Sequence, residues 1–340
     1  MTPPAIQPWS SRLDAVLAPA AMGVTLAIAG ASLARLPSFP LPGDAAARWT
    51  PSVSTYLAWS ALFGLIFVRV AVTLFHGHYG RGARMLWLAW WAMLIVATFA
   101  VVSGQFAGGS QAGFWFGVVF HNILSAAPGC TAACKLWALD VMSEPGKIML
   151  PHRVEMGLLV VLAGLIVVLT RRRMRRDDLI VTTRETAITM AGAVSVVVAL
   201  AALMSWPAPF INPDIYLPAN PLSTPLQILP DWYLAPWFQM IRGTLSKYMG
   251  SVTVLLAWLV PFLLPVLAFG PRSMPFRVMT GIATVALGVA IVTLAFGGRS
   301  GPDSQMLGLT RLPVDYYFAY FLLIMPLLNL LDSIVFRRDR

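Results

Sequence analysis

Charge is scarce in this chain of 340 residues: Asp, Glu, Lys and Arg together make up 11% of it, against 58% hydrophobic residues. With a mean hydropathy of +0.74, that apolar excess is more than one water-soluble core needs and excludes a soluble globular protein. Acidic residues are the rarer sign, 14 against 24 basic, for a net charge of +10. No basic face is interleaved with aromatics, so nucleic-acid binding is excluded as well. Cysteine is limited to Cys130 and Cys134, in PGCTAACKLW. Two cysteines without histidines beside them make a poor metal site; spaced i, i+4 on a helix, they fit either a local disulfide or two free thiols. No basic region precedes the first apolar run, which Asp14 and Pro19 interrupt, so a cleaved signal is not expected.

What the chain does have is long apolar runs. Eight segments, about 14–35, 52–75, 85–103, 154–170, 185–205, 251–269, 276–296 and 315–336, are long enough to cross a hydrocarbon layer of ~30 Å as helices. The expected fold is an all-α integral membrane protein of about eight transmembrane helices, and the even count puts both termini on one side. The segment RRRMRRDD, with Arg171, Arg172, Arg173, Arg175, Arg176 and then Arg184, marks that side as cytoplasmic. Arg81, Arg84, Arg272, Arg277 and the tail FRRDR fall on the same side. The positive charge thus reads as an orientation and anionic-lipid signal.

The two long loops then lie outside, at about 104–153 and 206–250, and long loops in a compact protein are usually functional. In the first, Phe114, Trp115, Val118, Val119 and Ile123 fit an amphipathic helix lying in the interface. The second carries SWPAPFINPDIYLPANPLSTP, whose prolines favour extended backbone, followed by ILPDWYLAPW.

These motifs, in this order, resemble those of cytochrome b, the membrane core of quinol-oxidising cytochrome bc complexes. PDWY is similar to the family's Pro-Glu-Trp-Tyr, with NPLSTP before it and MIRGTLSKYMG after it. GFWFGVVFHNILSAAP resembles the family's surface helix, and YYFAYFLLIMPLLNLLD its last helix. The resemblance covers about residues 52–336. It implies an N-terminal-like four-helix bundle over 1–178, a C-terminal-like region with the PDWY loop and four helices over 179–340, and interfacial helices in the outer loops.

The family holds two b-type haems between its second and fourth helices, each helix giving two histidines about fourteen residues apart. Fourteen residues make about four turns, one face and ~21 Å, and bis-imidazole ligation needs all four rings. Covalent attachment is not an alternative, since C-x-x-C-H is missing. Only four histidines are present. Aligned on FHGHYGRGARMLWL, the second helix places Thr55 and Arg69 at its ligand positions, while LPHRVEMGLLVVLAGLIVV places His152 and Ile166 on the fourth. His76 and His78 fall in the cytoplasmic turn, and His121 falls on the surface helix. Arg69 either snorkels to the interface or faces the bundle with a fixed charge. On the third helix, where the family keeps glycines against the porphyrin, Gly104 retains the outer position and Trp90 stands at the inner one, either filling the bundle or facing lipid.

The family's inner quinone-reduction residues align with Arg171 and Ile188, neither a proton donor near neutral pH. At the outer quinol-oxidation region the resemblance makes Asp231, Trp232 and Tyr233 the candidate residues. Asp231 would either accept a proton from quinol or cap the following helix, with the two aromatics as interfacial anchors.

The expected function is that of a non-haem structural partner in a respiratory quinol:cytochrome c oxidoreductase, not catalytic by itself and without a cofactor of its own. Haem b and an iron–sulfur cluster would be carried by a haem-bearing cytochrome b, a Rieske protein and a cytochrome c-type subunit, in a bacterial cytoplasmic membrane. The alternatives are an active cytochrome b with unorthodox haem ligation, and a quinone- or lipid-binding anchor for another oxidoreductase.

Overall fold

The computed structural model describes residues 9–34, 53–80, 83–107, 110–136, 145–176, 214, 217, 219–225, 228–244, 246–268, 273–300 and 310–335. These form helices α1 (Trp9–Ala34), α2 (Val53–His76), α3 (Arg84–Ala107), α4 (Gln111–Ser125), α5 (Met149–Arg176), α6 (Ala235–Arg242), α7 (Lys247–Leu267) and α8 (Met274–Arg299). The last helix runs from α9 (Arg311–Ala319) through a π turn, Tyr320–Ile324, into α10 (Met325–Val335).

Seven of the eight expected spans are membrane-length apolar helices among the described residues. The fifth, 185–205, lies outside the described residues, as does Ile188. The fold class is therefore as expected: an all-helical integral membrane protein.

α1, α2, α3 and α5 pack as a bundle, with α1 against α2 and α5, and α3 against α5. Its interior is filled by Leu17, Ala21, Phe63, Ile66, Trp90, Met93, Ala97, Leu159, Ala163 and Ile166, each at most 1% exposed. α8 joins the second group of helices to the first through α2 and seats α6.

α7 shows how this packing is specified. Pro261 and Pro265 lie inside it, and each removes the N–H that would satisfy the carbonyl four residues earlier. In hydrocarbon those two carbonyls need another donor. The Tyr317 hydroxyl donates to Ala257 O at 2.7 Å, and Trp87 Nε1 donates to Pro261 O at 2.9 Å. Trp91 Nε1 adds a bond to Trp258 O at 2.7 Å. The prolines thereby fix α3 and α9 against α7. Tyr317→Phe leaves a buried carbonyl without its donor and should cost about 1–3 kcal/mol. Thermal unfolding in detergent should show this loss, whereas Tyr248→Phe, at a residue 53% exposed, should leave the midpoint unchanged.

Candidate functional site

Arg69 is 2% exposed and faces the bundle interior, so it does not snorkel. Its Nη2 donates to Asp14 Oδ2 at 3.0 Å, and Nε faces Oδ1 of the same carboxylate. Arg173, at the end of α5, places Nη1 3.4 Å from Asp14 Oδ2. Ile166, about two turns before Arg173 on α5, is fully buried, and Trp90 is 1% exposed, in the core and not toward lipid. Thr55 lies on α2; its side chain is outside the described residues.

At the other end of the bundle, His152 Nδ1 lies 2.8 Å from Ser103 Oγ, and the Ser103 hydroxyl donates to Glu155. Ser103 Oγ thus sits between the His152 imidazole, the Glu155 carboxylate and the Ala100 carbonyl, the last at 3.1 Å. The ring rests on bare backbone: a Cβ at Gly104 would come within 2.9 Å of His152 Cε1, so the glycine is needed here for close approach to the imidazole itself.

The PDWY loop docks on one face of α2. Tyr233 stacks on Phe63 with centroids 4.2 Å apart and planes 4° from parallel, and Trp232 Nε1 donates to Ser60 Oγ at 3.2 Å. Asp231 is 7% exposed. Its Oδ2 accepts from the Tyr233 hydroxyl at 2.7 Å and from Gln105, while Arg299 Nη1 donates to the neighbouring Pro230 carbonyl at 3.1 Å. The expectation that Asp231 caps the next helix does not hold. Leu234 is the N-cap residue of α6, without a side-chain bond, and only the backbone carbonyl of Asp231 serves the helix start, accepting from Leu234 and Ala235. Two polar side chains in the bundle and loop capture the carboxylate first. Gln105 was missed in the sequence; its place after the glycine at the end of the third helix was the available signal.

Beside the loop is a cavity of about 110 Å³ between α3, α4, α6 and α7. Phe99, Phe120, Ile123, Trp237 and Trp258 line it, and Asp231, Trp232 and Tyr233 do not. Among the described residues the indole N–H groups of Trp237 and Trp258 have no acceptor. The expected surface helix is α4, with Ser110 as its N-cap. Its buried residues are Gln111, Gly113 and Gly117. The apolar Phe114, Trp115, Val118, Val119 and Ile123 remain partly exposed, because glycines let the helix approach where larger side chains would hold it off.

The other histidines are not brought together with His152. His76 ends α2 and His78 sits in the following turn, where burial, then the positive charge of Arg173, pushes the imidazole down to about 4. His121 lies on α4. Arg171 is exposed at the end of α5. Cys130 and Cys134 form a disulfide with Cα atoms 5.3 Å apart. Cys130 stands just before the helical residues 132–136, so the pair does not share one helix.

The family model described as Cytochrome b(C-terminal)/b6/petD matches residues 218–318, which include the loop and its docking partner Arg299. The chain is 25% identical to cytochrome b of Schizosaccharomyces pombe over 289 residues, covering 81% of this chain and 75% of that one. It is 26% identical to cytochrome b of Rickettsia prowazekii over 299 residues, covering 83% and 74%. Over most of its length the chain is thus similar to cytochrome b. A solved chain titled "Hyperthermophilic respiratory Complex III" shares the fold, with a TM-score of 0.75 over 95% of this chain and 92% of that one, at 20% identity.

In this cytochrome b-like chain the buried loop carboxylate yields a pH-dependent expectation. Burial raises the affinity of Asp231 for its proton above the ordinary 3.8, against the lowering effects of Tyr233, Gln105 and Arg299. The folded group holds its proton to higher pH than the unfolded chain does. Its contribution to stability is therefore present below the ordinary carboxylate range and is lost as pH rises through the raised value. Asp231→Asn carries no such ionisation. Its thermal midpoint relative to the unaltered protein should climb between about pH 4 and pH 8, as measured by unfolding in detergent; a difference independent of pH would show that Asp231 ionises as it does in water.

Proposed function

We propose that this chain is the cytochrome b-like membrane subunit of a bc-type quinol:cytochrome c oxidoreductase and acts there as a non-haem structural partner of a haem-bearing cytochrome b. The observation that carries the reading is Arg69, buried and bound to Asp14 at a position where the family resemblance requires an imidazole. A guanidinium has no lone pair to give to iron and keeps its proton. Ile166, its counterpart on α5, offers no donor atom. At the outer level His152 is the single imidazole, with Thr55 at the aligned position on α2. The residues present therefore do not fit two bis-imidazole haems. Electrons would pass through the haem-bearing partner, a Rieske iron–sulfur protein and a cytochrome c-type subunit. The setting would be a bacterial cytoplasmic membrane, with both termini on the cytoplasmic side and the two family-like regions divided near residue 178.

The loop geometry supports the same assignment. A quinol delivers two protons and two electrons, so a proton-accepting carboxylate is useful only where it reaches the quinol and both electrons have acceptors. Asp231 is instead engaged by Gln105 and Tyr233 and does not line the neighbouring cavity. A second reading, a quinone- or lipid-binding anchor, is favoured by that cavity: its walls are apolar, and two indole N–H groups lack acceptors among the described residues.

Purified alone, the chain should carry no stoichiometric haem b in a pyridine haemochrome assay; two haems per chain would refute the reading. In the assembled complex Asp231→Asn should leave quinol:cytochrome c turnover within about tenfold, a barrier change below ~1.4 kcal/mol. A larger loss with normal assembly would assign the chemistry to this loop.

A further inference from the structure

α1 carries a single acidic residue, Asp14, and α2 a single arginine or lysine, Arg69. They are 55 positions apart in sequence, and the fold brings them together at 3.0 Å, where both are at most 2% exposed. Arg173 reaches the same carboxylate from α5 at 3.4 Å. One carboxylate thus ties three helices, and two of them are those that, by the family resemblance, would share a haem at this level. Ile166, Thr170 and Arg173 follow one another at i, i+4 and i+7 on α5, so the ridge that runs down to the ion cluster is the one bearing the vacated ligand position. Leu17, Ala18 and Ala21 from α1, with Ile66 and Ala163, close the interior around it.

We propose that the Asp14–Arg69–Arg173 cluster is the built-in substitute for a prosthetic group at the inner level: α1 supplies the tie between α2 and α5, and the bundle assembles without a cofactor. This rests on the non-haem reading above. Physically, a metal-centred group would hold two helices through its axial ligands, whereas here a carboxylate holds them through charge-assisted hydrogen bonds. Isolated in the interior, any member would be an uncompensated charge, which is far more costly than removing the whole set. That asymmetry is what makes the proposal testable.

The test uses the full chain, produced in the membrane of cells able and unable to make haem, then extracted and scored for monodisperse folded protein and thermal midpoint. The unaltered chain should accumulate to the same level in both cells. Asp14→Ala, which leaves Arg69 buried without its carboxylate, should lower the yield of folded protein by about tenfold or more; Arg69→Met leaves Asp14 with Arg173 alone and should lower it by a smaller factor. The double variant Asp14→Leu with Arg69→Met, which leaves no unpaired charge at that pair, should recover to within about threefold of the unaltered chain. Asp315→Asn, which breaks an exposed pair with Arg311, should change nothing. Single variants as stable as the unaltered chain, or a double variant no better than the worse single, would overturn the proposal. Haem content separates the two levels of the argument. Stoichiometric haem in the unaltered chain would defeat the non-haem reading and this inference with it; a haem-free chain whose accumulation needs haem synthesis, or whose single variants are unaffected, would defeat this inference alone.

Discussion

Hydrocarbon offers no hydrogen bonds, so a polar group inside the membrane is costly unless it finds a partner within the protein. That constraint explains features that otherwise look unrelated. Two prolines in α7 release carbonyls, and a tyrosine and a tryptophan from other helices take them up. An arginine in the middle of a transmembrane sequence is matched by a carboxylate from the helix beside it. A buried aspartate in a loop is held by a glutamine and a tyrosine. Apart from Tyr233, two residues from Asp231, these partners lie far away in sequence, so the polar groups help determine which helices are neighbours, while the apolar side chains fill the space between them.

The helix bundle is held together around its own side chains for a related reason. A helix bundle is specified by packing and by satisfied polar groups, and both can be kept when a ligand position is replaced by a side chain of suitable volume and charge. Ile166 and Trp90 supply volume at the inner level, and Arg69 with Asp14 supplies a tie. At the outer level the His152 imidazole presses on Gly104 and bonds to Ser103. The loop that carries Asp231 keeps its aromatic docking on α2, which preserves its position without requiring the carboxylate to perform proton transfer.

Much was legible from the sequence alone. Long apolar runs determined the membrane class and the helix spans, because crossing hydrocarbon demands length and low charge, and both are local properties. The ordered motifs PDWY, NPLSTP and the surface helix determined the family resemblance. Arg69 and Ile166 were legible as non-coordinating residue types at positions where the resemblance expects ligands. What the chain order could not supply was which long-range partner each polar group would meet. Asp14 read only as an interruption of the first apolar run, since nothing local links it to a residue 55 positions later. Asp231 had two local fates, cap or base, and tertiary packing chose a third, because Gln105 and Tyr233 reach its carboxylate before the helix N-terminus does. Trp90 had two faces open to it until α3 was seated against the bundle. Residue type and spacing therefore determined what chemistry each position lacks; only the packed helices decided what occupies its place, because the cost of a buried charge or an unpaired carbonyl is settled by neighbours distant in sequence.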